Sequence, residues 1–464
     1  MFSLFSAGSN SHKQLTTNTH QEDIREFRKT HEWENGNRSI IISSALGGRH
    51  SLFLTHQADI YACGDDSQGQ ILQPKINKNA ANESDPLSQD TTLVKLDYKH
   101  ILSRLPNINQ QLKESLIRTY HPVQVAACWE TSFVVLSYDD ARDGGGRTGD
   151  EGDTKTCHDD YILAFGSDDS DLRGYYKTTP PSSEKESLNE ANIIELPAKP
   201  DGLKKRRKIR LHATYKHVIA LVEYEDKNNT TATSRSMQVV GWGAARHGQL
   251  GPLDPARAST PPRVLPIDFR EDTTEMEAVK IATGKHHTVI VSRTRIWCWG
   301  SNRKGQLPLR LRELPPGEIL ELQATWNATF VILVDDDESS ATGGSKRLLG
   351  FGSNTHGQLG SSDPSLTVLD TRIPHSFARL VAGSEHLLIA NESPHDHRHQ
   401  VCGWGWNEHG NLGPYFPSHH PQHQQLQPLH TSAPMATIFL VPSSCRISHL
   451  AAGCATSFIF CSPQ

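Results

Sequence analysis

The chain has 464 residues, a formal net charge of −5 at pH 7 and 36% hydrophobic residues. This acidic balance argues against a surface dedicated to DNA or to acidic membranes, although a local basic patch would be compatible with it. No apolar run approaches the ~18–20 residues of a membrane-spanning helix and no signal-peptide pattern is found, so we expect a cytoplasmic and nuclear protein.

A turn-like sequence motif built on Gly, Asn and Gln recurs seven times along the chain. We call this motif the Gly-Asn phrase. Its Gly allows the positive φ of a tight turn, and Asn tolerates such a φ better than most residues. Self-similarity at roughly 50 residues indicates a propeller or a solenoid. In chain order, the copies are centred on Gly8, Gly64, Gly166, Gly243, Gly300, Gly352 and Gly405.

A second phrase alternates strictly with the first, also seven times. Each copy is a small-residue turn followed by a run of β-branched or aromatic residues, which is typical of a strand buried on both faces. Such a unit predicts an antiparallel sheet of about four strands, and sheets packed face to face around a ring bury both faces of each one. The copies occupy residues 47–54, 128–135, 214–220, 284–290, 325–331, 383–389 and 453–459.

The repeat therefore predicts an all-β fold, a seven-bladed β-propeller that forms a single domain over residues 1–464. Its phase predicts how the ring closes. Phe2–Phe5 runs directly into the first Gly-Asn phrase, whereas no such phrase follows Ser457–Phe460. We therefore expect the N-terminal strand, residues 2–8, to complete the C-terminal blade by pairing with strands near 445–461.

Polar insertions separate or interrupt the predicted blades. Within the first insertion, Leu105, Ile108, Leu112 and Leu116 lie at helical spacing and predict a short helix. The second falls at a hairpin between two strands, and its Gly-rich, acidic composition predicts disorder, as do the compositions of the later ones. The insertions lie near residues 73–120, 137–160, 177–203, 223–236, 334–346, 391–400 and 414–440.

Two local patterns have alternative interpretations. The basic run Lys204–Lys208 resembles a nuclear-import signal, but it also fits a solvated loop before the strand Ile209–Leu211. The stretch His419–His423 has metal-binding side chains but no rigid frame and no carboxylate partners, so we expect no metal site there. The eight scattered cysteines form no Cys-x-x-Cys pair and are expected to be buried small hydrophobic residues.

The sequence offers no catalytic constellation. Gly241-Trp242-Gly243 belongs to a blade phrase and does not open a helix, so it does not predict a phosphate-binding loop. A histidine recurs at one position of four blades, where we expect it to brace the ring by hydrogen bonding to the neighbouring blade's backbone. We therefore expect no catalytic residue, no cofactor and no enzymatic activity. The recurring histidines are His50, His217, His287 and His386.

Large aromatic residues occupy one matched turn position, two residues before the recurring histidine position. Trp129, Tyr215 and Trp326 stand there in three blades, and these turns should open on one face of the ring. Exposed Trp and Tyr anchor protein interfaces, although packing beneath the insertions is an equal alternative. With the charged residues beside them, the candidate partner-binding residues are Arg49, Trp129, Tyr215, Lys285, His286, Trp326 and Glu385.

The two alternating phrases resemble the regulator-of-chromosome-condensation repeat over nearly the whole chain. This resemblance implies a seven-bladed β-propeller. Members of the family include a guanine-nucleotide exchange factor for the GTPase Ran and many interaction scaffolds, so the fold alone does not choose a function.

Several runs are similar to one branch of that family, the fungal alpha-tubulin suppressor or killer-toxin-insensitivity proteins. The resemblance implies a heterodimer with a small CSL-type zinc- or iron-binding protein, which supports Elongator-dependent modification of wobble uridine in tRNA and the first step of diphthamide synthesis. From the composition, we expect no direct contact with DNA or membranes. The chain differs from that branch in its longer insertions. The similar runs are Cys63–Asp65, Cys128–Thr131, Gly383–His386, Cys402–Asn411 and Gly453–Ile459.

Two other functions are possible on sequence grounds. The exchange-factor branch carries a basic N-terminal tail before its first blade, whereas this sequence enters a predicted strand at residue 2 and is acidic overall. A substrate adaptor for a ligase or a kinase would leave no pattern that the sequence can test.

Overall fold

Seven small antiparallel sheets form a closed ring in the computed structural model. The inner strand of each sheet contacts the inner strand of the next, and the last contacts the first. This confirms the predicted seven-bladed β-propeller. The structure describes residues 2–17, 22–33, 40–72, 93–106, 108–139, 158–174, 191–200, 206–225, 236–252, 257–269, 276–293, 295–309, 319–334, 346–373, 376–392, 399–414 and 430–464.

The first half of the described chain supplies two strands of the closing blade and then blades 1 to 3. The two N-terminal strands are β1 (Phe2–Ser9) and β2 (Asp23–Trp33). Blade 1 contains β3 (Ile41–Leu46), β4 (His50–Thr55), β5 (Ile60–Gly64) and β6 (Val94–Leu96), followed by α1 (Tyr98–Ser103) and α2 (Gln110–Thr119). Blade 2 contains β7 (Tyr120–Ala127), β8 (Thr131–Tyr138), β9 (Tyr161–Gly166) and β10 (Asn192–Ile193). Blade 3 contains β11 (Arg206–Thr214), β12 (His217–Glu225), β13 (Ser236–Ala244) and β14 (Ser259–Val264).

The second half supplies blades 4 to 7. Over its described residues, blade 4 contains the three strands β15 (Lys280–Thr283), β16 (His287–Val291) and β17 (Ile296–Gly300). Blade 5 contains β18 (Ile319–Ala324), β19 (Ala328–Val334), β20 (Lys346–Gly352) and β21 (Val368–Ile373). Blade 6 contains β22 (Phe377–Ala382), β23 (His386–Glu392), β24 (His399–Trp406) and β25 (His430–Leu440). Blade 7 contains β26 (Cys445–Ala452), β27 (Thr456–Pro463) and the two N-terminal strands.

Strand β1 closes the ring, as the repeat phase predicts. The strand order in blade 7 is β2-β1-β27-β26, so β1 is an interior strand with a partner on each side. Leu4 pairs with Phe460 and Ala7 pairs with Ser457 across the β1–β27 ladder. Leu4 and Ala7 are fully buried. The N-terminal strand is therefore part of the core.

The single helix predicted after residue 100 is instead two short helices. Leu112 and Leu116 lie in α2, whereas Leu105 and Ile108 lie between α1 and α2. Pro106 explains the break, because the residue before a proline is pushed out of the helical region. The Asn109 side chain accepts a hydrogen bond from the Leu112 N–H and so begins the second helix. Among the described residues, no helix is long and apolar enough to cross a membrane.

The predicted insertions contain more regular structure than their polarity suggests. Residues 94–96, 192–193 and 430–440 form the outermost strands of blades 1, 2 and 6. The predicted disorder concerns stretches such as 140–157 and 415–429, which lie outside the described residues, as does the stretch His419–His423.

Part of the basic run belongs to a strand. Strand β11 begins at Arg206, whose guanidinium lies 3.4 Å from the Asp160 carboxylate. Lys208 pairs with Glu225 at 2.8 Å, and Arg207 donates to the Pro197 carbonyl at 3.0 Å. Arg206–Lys208 are thus engaged by the fold, which corrects the solvated-loop interpretation for these three residues. Lys204 and Lys205 lie outside the described residues.

The Gly-Asn phrase is explained by two hydrogen bonds that close its turn. In blade 5, Asn354 Oδ1 accepts from the Leu359 N–H at 2.7 Å, and Gln358 Oε1 accepts from the His356 N–H at 2.8 Å. Both amide side chains therefore satisfy backbone donors that a tight turn leaves without partners. The Asn bond recurs at Asn10, Asn302 and Asn407, and the Gln bond recurs at Gln14, Gln70, Gln249 and Gln306.

The recurring histidines do brace neighbouring blades, but their partners are side chains rather than the predicted backbone. His287 Nε2 lies 3.0 Å from the Thr329 hydroxyl, and His50 Nε2 lies 2.9 Å from the Ser132 hydroxyl. The equivalent bonds of His217 and His386 reach Thr288 and Ser457 at 3.0 Å. In each pair the hydroxyl belongs to the second residue of the next blade's second strand.

The hydroxyl groups also determine which nitrogen of each imidazole carries the proton. Thr329 donates its own proton to the Gln306 carbonyl at 2.8 Å, so His287 must donate from Nε2. The buried Nδ1 atom of His287 then has no hydrogen-bond partner. Burial accordingly lowers the pKa of His287 to about 3, so its ring is neutral at pH 7. Gly284 leaves room for this ring, because a Cβ there would lie 2.0 Å from the His287 Cε1.

Candidate partner-binding site

The turns between the first and second strands of the blades meet around the ring axis. Backbone hydrogen bonds link neighbouring turns, such as Trp129 N–H to the Tyr215 carbonyl at 2.7 Å and Trp326 N–H to the Ser384 carbonyl at 2.7 Å. The aromatic turn positions therefore lie on one face, as the sequence predicts. We call this surface the channel mouth; its turn residues are Gly48, Trp129, Tyr215, Lys285, Trp326, Ser384 and Cys454.

The three large aromatic side chains of the channel mouth pack against one another. The ring centroids of Trp129 and Tyr215 are 5.5 Å apart, and those of Trp326 lie 5.8 Å from both. All three residues are half-buried. A side chain at Gly48 would lie 2.5 Å from the Trp129 indole, so only glycine lets this ring approach the turn of blade 1. The aromatics are thus one preorganised cluster rather than separate anchors.

Lys285 adds a positive charge to this cluster. Its Nζ lies 4.6 Å from the ring centroids of both Tyr215 and Trp326. Such cation–π contacts contribute about 0.5–2 kcal/mol each and hold the ammonium over the ring faces. His286 follows in the same turn, and its ring lies 4.0 Å from that of His247. Burial, with His247 and Lys285 nearby, lowers the pKa of His286 to about 4, so this imidazole is neutral at pH 7.

Glu385 lies deeper than the sequence suggests. It is only 7% exposed and sits between blades 5 and 6, where it accepts from Asn327 at 2.6 Å and from Gln358 at 2.7 Å. Burial raises the pKa of Glu385 to about 7. Both carboxylate oxygens of Glu385 accept hydrogen bonds from the chain itself, so Glu385 stabilises the contact between the two blades and is not part of the exposed rim. Of the other predicted residues, Arg49 is exposed beside Gly48, and the remaining five come together in the channel mouth.

Below the channel mouth, a ring of polar residues joins the inner strands. Seven residues before each second strand, every blade carries a polar side chain, and most of these reach the next blade. Ser43 bonds to the Val125 backbone, and Gln124 bonds to both backbone groups of Leu211 at 2.7 and 2.8 Å. This ring of polar residues was not predicted from the sequence, although a polar residue at the same position of every blade could have indicated it. Its members are Ser43, Gln124, Arg210, Lys280, Glu321, Arg379 and His449.

A central channel of about 330 Å³ runs along these inner strands. Its wall is built largely of small residues from five blades, so side chains do not fill the axis. These are Ala127, Ala213, Ala324, Ala382 and Ala452. Among the described residues, no group of three His, Cys, Asp or Glu side chains is placed to hold a metal ion.

Comparison with known proteins agrees with this geometry. Residues 278–306 match the model of the regulator of chromosome condensation (RCC1) repeat, and this segment contains the Lys285 turn and one Gly-Asn phrase. The human RCC1 domain-containing protein 1 is 29% identical over 178 residues, which are 38% of this chain and 42% of that protein. The chain therefore matches less than half the length of this relative.

Solved structures show the same architecture over the whole chain. Prp20p from Saccharomyces cerevisiae, described with its binding properties to Gsp1p and histones, has a TM-score of 0.61 at 15% identity and covers 100% of this chain and 92% of its own. Human WBSCR16 has a TM-score of 0.59 at 13% identity, with 100% and 99% covered. At these identities the likeness concerns the fold alone. The chain is thus a seven-bladed β-propeller that is similar to regulator-of-chromosome-condensation propellers in its fold and, over residues 278–306, in its repeat sequence.

Proposed function

We propose that the chain is a non-catalytic protein-binding propeller that forms a heterodimer with a small CSL-type zinc- or iron-binding protein. In this role it supports Elongator-dependent modification of wobble uridine in tRNA and diphthamide synthesis. The runs similar to the fungal alpha-tubulin suppressor branch motivate the choice of partner. The observation that carries a binding role is the aromatic cluster with Lys285 at the channel mouth.

The physical argument rests on preorganisation. Trp129, Tyr215 and Trp326 already hold one another in place, so their side chains lose little conformational freedom when a partner covers them. Buried Trp and Tyr side chains contribute most of the free energy of binding in many interfaces, while charges at the edge favour a complementary partner. Lys285 and the exposed Arg49 favour an acidic partner surface, which suits small, acidic proteins of the CSL type.

Substitution in the channel mouth should weaken the heterodimer. We expect Trp326→Ala to cost about 2 kcal/mol or more of binding free energy, the usual cost at an interface hot spot, and Lys285→Glu to weaken binding by reversing the central charge. Since Trp326 also packs on Trp129, a modest fall in the melting temperature should accompany the first change. Calorimetric titration with the CSL-type partner, beside melting curves, measures both effects.

The matched control is Lys99→Glu in α1, which makes the same charge reversal on the outer side of blade 1. It should leave the affinity unchanged. If Lys285→Glu and Trp326→Ala both bind like the parent chain, the partner does not use the channel mouth.

An exchange factor for a Ran-type GTPase is the alternative function, since Prp20p has the same fold. Under our proposal, the purified chain should leave the rate of nucleotide release from a Ran-type GTPase at its intrinsic value. Release of a fluorescent nucleotide, followed with increasing amounts of the propeller, measures this. A large and saturable acceleration would put the exchange function in first place.

A further inference from the structure

The central channel leaves open space along the axis of the ring. Its volume of about 330 Å³ lies within the range of roughly 300–1,000 Å³ typical of small-molecule sites. Much of its lining is polar, with Gln124, Thr214, Thr283 and Gln323 among the contributing residues. The bonds between blades account for the ring of polar residues, and the aromatic cluster accounts for the channel mouth. Neither explains why the axis is left open.

Arg379 is the charged residue of this lining. It enters from β22, donates one hydrogen bond to His449 Nδ1 at 3.2 Å and keeps water-accessible surface within the ring. Burial lowers the pKa of Arg379, but a guanidinium stays protonated at neutral pH. Among the described residues it forms no ion pair within 4.0 Å. The Glu321 carboxylate of blade 5 is nevertheless close enough to act on Arg379 electrostatically and raise its pKa. Since a guanidinium has five N–H donors in a planar fork and His449 accepts from one of them, donors remain for an anion.

His212 faces the channel from the other side of the ring. It belongs to β11 of blade 3, whereas Arg379 belongs to blade 6. Its Nε2 is buried without a hydrogen-bond partner. Burial, with Arg210 nearby, lowers the pKa of His212 to about 3, so the ring is neutral. Because its Nε2 has almost no accessible surface, His212 contributes a neutral part of the channel wall and no second charge.

We propose that the central channel binds a small organic anion. A phosphate or carboxylate group of the ligand pairs with Arg379, and the polar lining of the channel surrounds the rest of the ligand. The alanine wall leaves the necessary width, and the polar lining disfavours an apolar ligand. This proposal does not depend on the partner of the channel mouth.

The test uses inorganic phosphate and citrate as probes on the full chain, with sodium chloride at matched ionic strength as the reference. A ligand that binds only the folded state raises its stability by RT ln(1 + [L]/Kd). We expect a saturable rise of the melting temperature with at least one probe. We expect Arg379→Gln to weaken the apparent affinity at least tenfold, while Arg372→Gln on the outer strand β21 should leave it unchanged.

The two probes distinguish the source of the anion. A response to phosphate alone assigns a phosphate ligand, and a response to citrate alone assigns a polycarboxylate. If Arg379→Gln fails to fold, Arg379→Lys decides, because it keeps the charge but loses the planar fork and should bind several-fold more weakly. Absence of any saturable response, or the same response in the parent chain and in the Arg379 variants, overturns the proposal.

Discussion

Removal of residues 2–8 is expected to abolish stable folding of the ring. Strand β1 lies between β27 and β2, so its loss leaves both neighbours without their shared partner. The fully buried Leu4 and Ala7 leave the core at the same time. Since a typical domain is stable by only about 5–15 kcal/mol, the loss of an interior strand should exceed what the remaining blades can supply. Urea unfolding followed by circular dichroism measures the result.

A single substitution gives a graded version of this experiment. Leu4→Ala should cost about 2–5 kcal/mol, the usual cost of truncating a fully buried leucine. Ile42→Ala is the matched control, because Ile42 is also an aliphatic strand residue but is 46% exposed, so its truncation should cost little. A truncated chain that unfolds at the same urea concentration as the parent would show that β1 does not close the ring.

Acidification from pH 7 to pH 5 is expected to destabilise the ring, and the four histidines that join neighbouring blades, together with Glu385, account for about 5 kcal/mol of the loss. Burial lowers the pKa values of His50, His217, His287 and His386 to about 4, 3, 3 and 4, from 6.5. The unfolded chain therefore binds protons that the folded chain excludes, and stability is lost as the pH falls below 6.5. Each imidazole contributes about 2 kcal/mol of this loss at pH 5.

Glu385 acts in the opposite direction. Its folded pKa of about 7 lies above the 4.5 of an unperturbed glutamate, so its contribution grows as the pH falls from 7 to 5 and offsets about 2 kcal/mol of the loss. These four imidazoles against one carboxyl leave a net destabilisation, and the buried His212 and His449, with pKa values lowered to about 3, add to it. Urea unfolding at both pH values measures it.

The contribution of one histidine can be isolated. In His287→Gln the side chain can still donate to Thr329 but does not titrate, so its loss of stability between pH 7 and pH 5 should be about 2 kcal/mol smaller than that of the parent. His56→Gln makes the same exchange of side chains in an exposed turn and is the matched control. Equal pH dependence in all three chains would contradict the role assigned to the buried imidazoles.

The sequence predicts the ring because each blade repeats the same local chemistry. The Gly-Asn phrase contains its own turn-closing bonds, as Asn354 and Gln358 show, so its function can be inferred from one blade alone. The phase of the repeat likewise predicts the closing strand. These features depend on residues close together in sequence.

Contacts between blades are harder to infer, because they join residues far apart in the chain. The repeat predicts that Trp129 and Trp326 share a face, but only the curvature of the ring brings their indoles within 5.8 Å of each other. The sequence suggests a place for Glu385 beside the exposed aromatic turns, whereas its carboxylate accepts hydrogen bonds from two amide side chains between the blades. The proline at residue 106 could have revealed the break between α1 and α2, since its effect is local.

Because histidines pair with hydroxyl groups at some junctions between blades and not at others, the blades are not interchangeable. Blades that lack the histidine have Thr131, Ala328 and Thr456 in its place, and two of the blades that follow them carry Val218 and Leu387 instead of a hydroxyl. A ring that omitted blade 2 would face His50 with Val218, and one that omitted blade 5 would face His287 with Leu387. Each mismatch would bury an imidazole donor without an acceptor, at a cost of about 1–3 kcal/mol. The pattern of histidines and hydroxyl groups thus disfavours misassembled rings. It does so whether a blade is skipped within one chain or blades are exchanged between two copies.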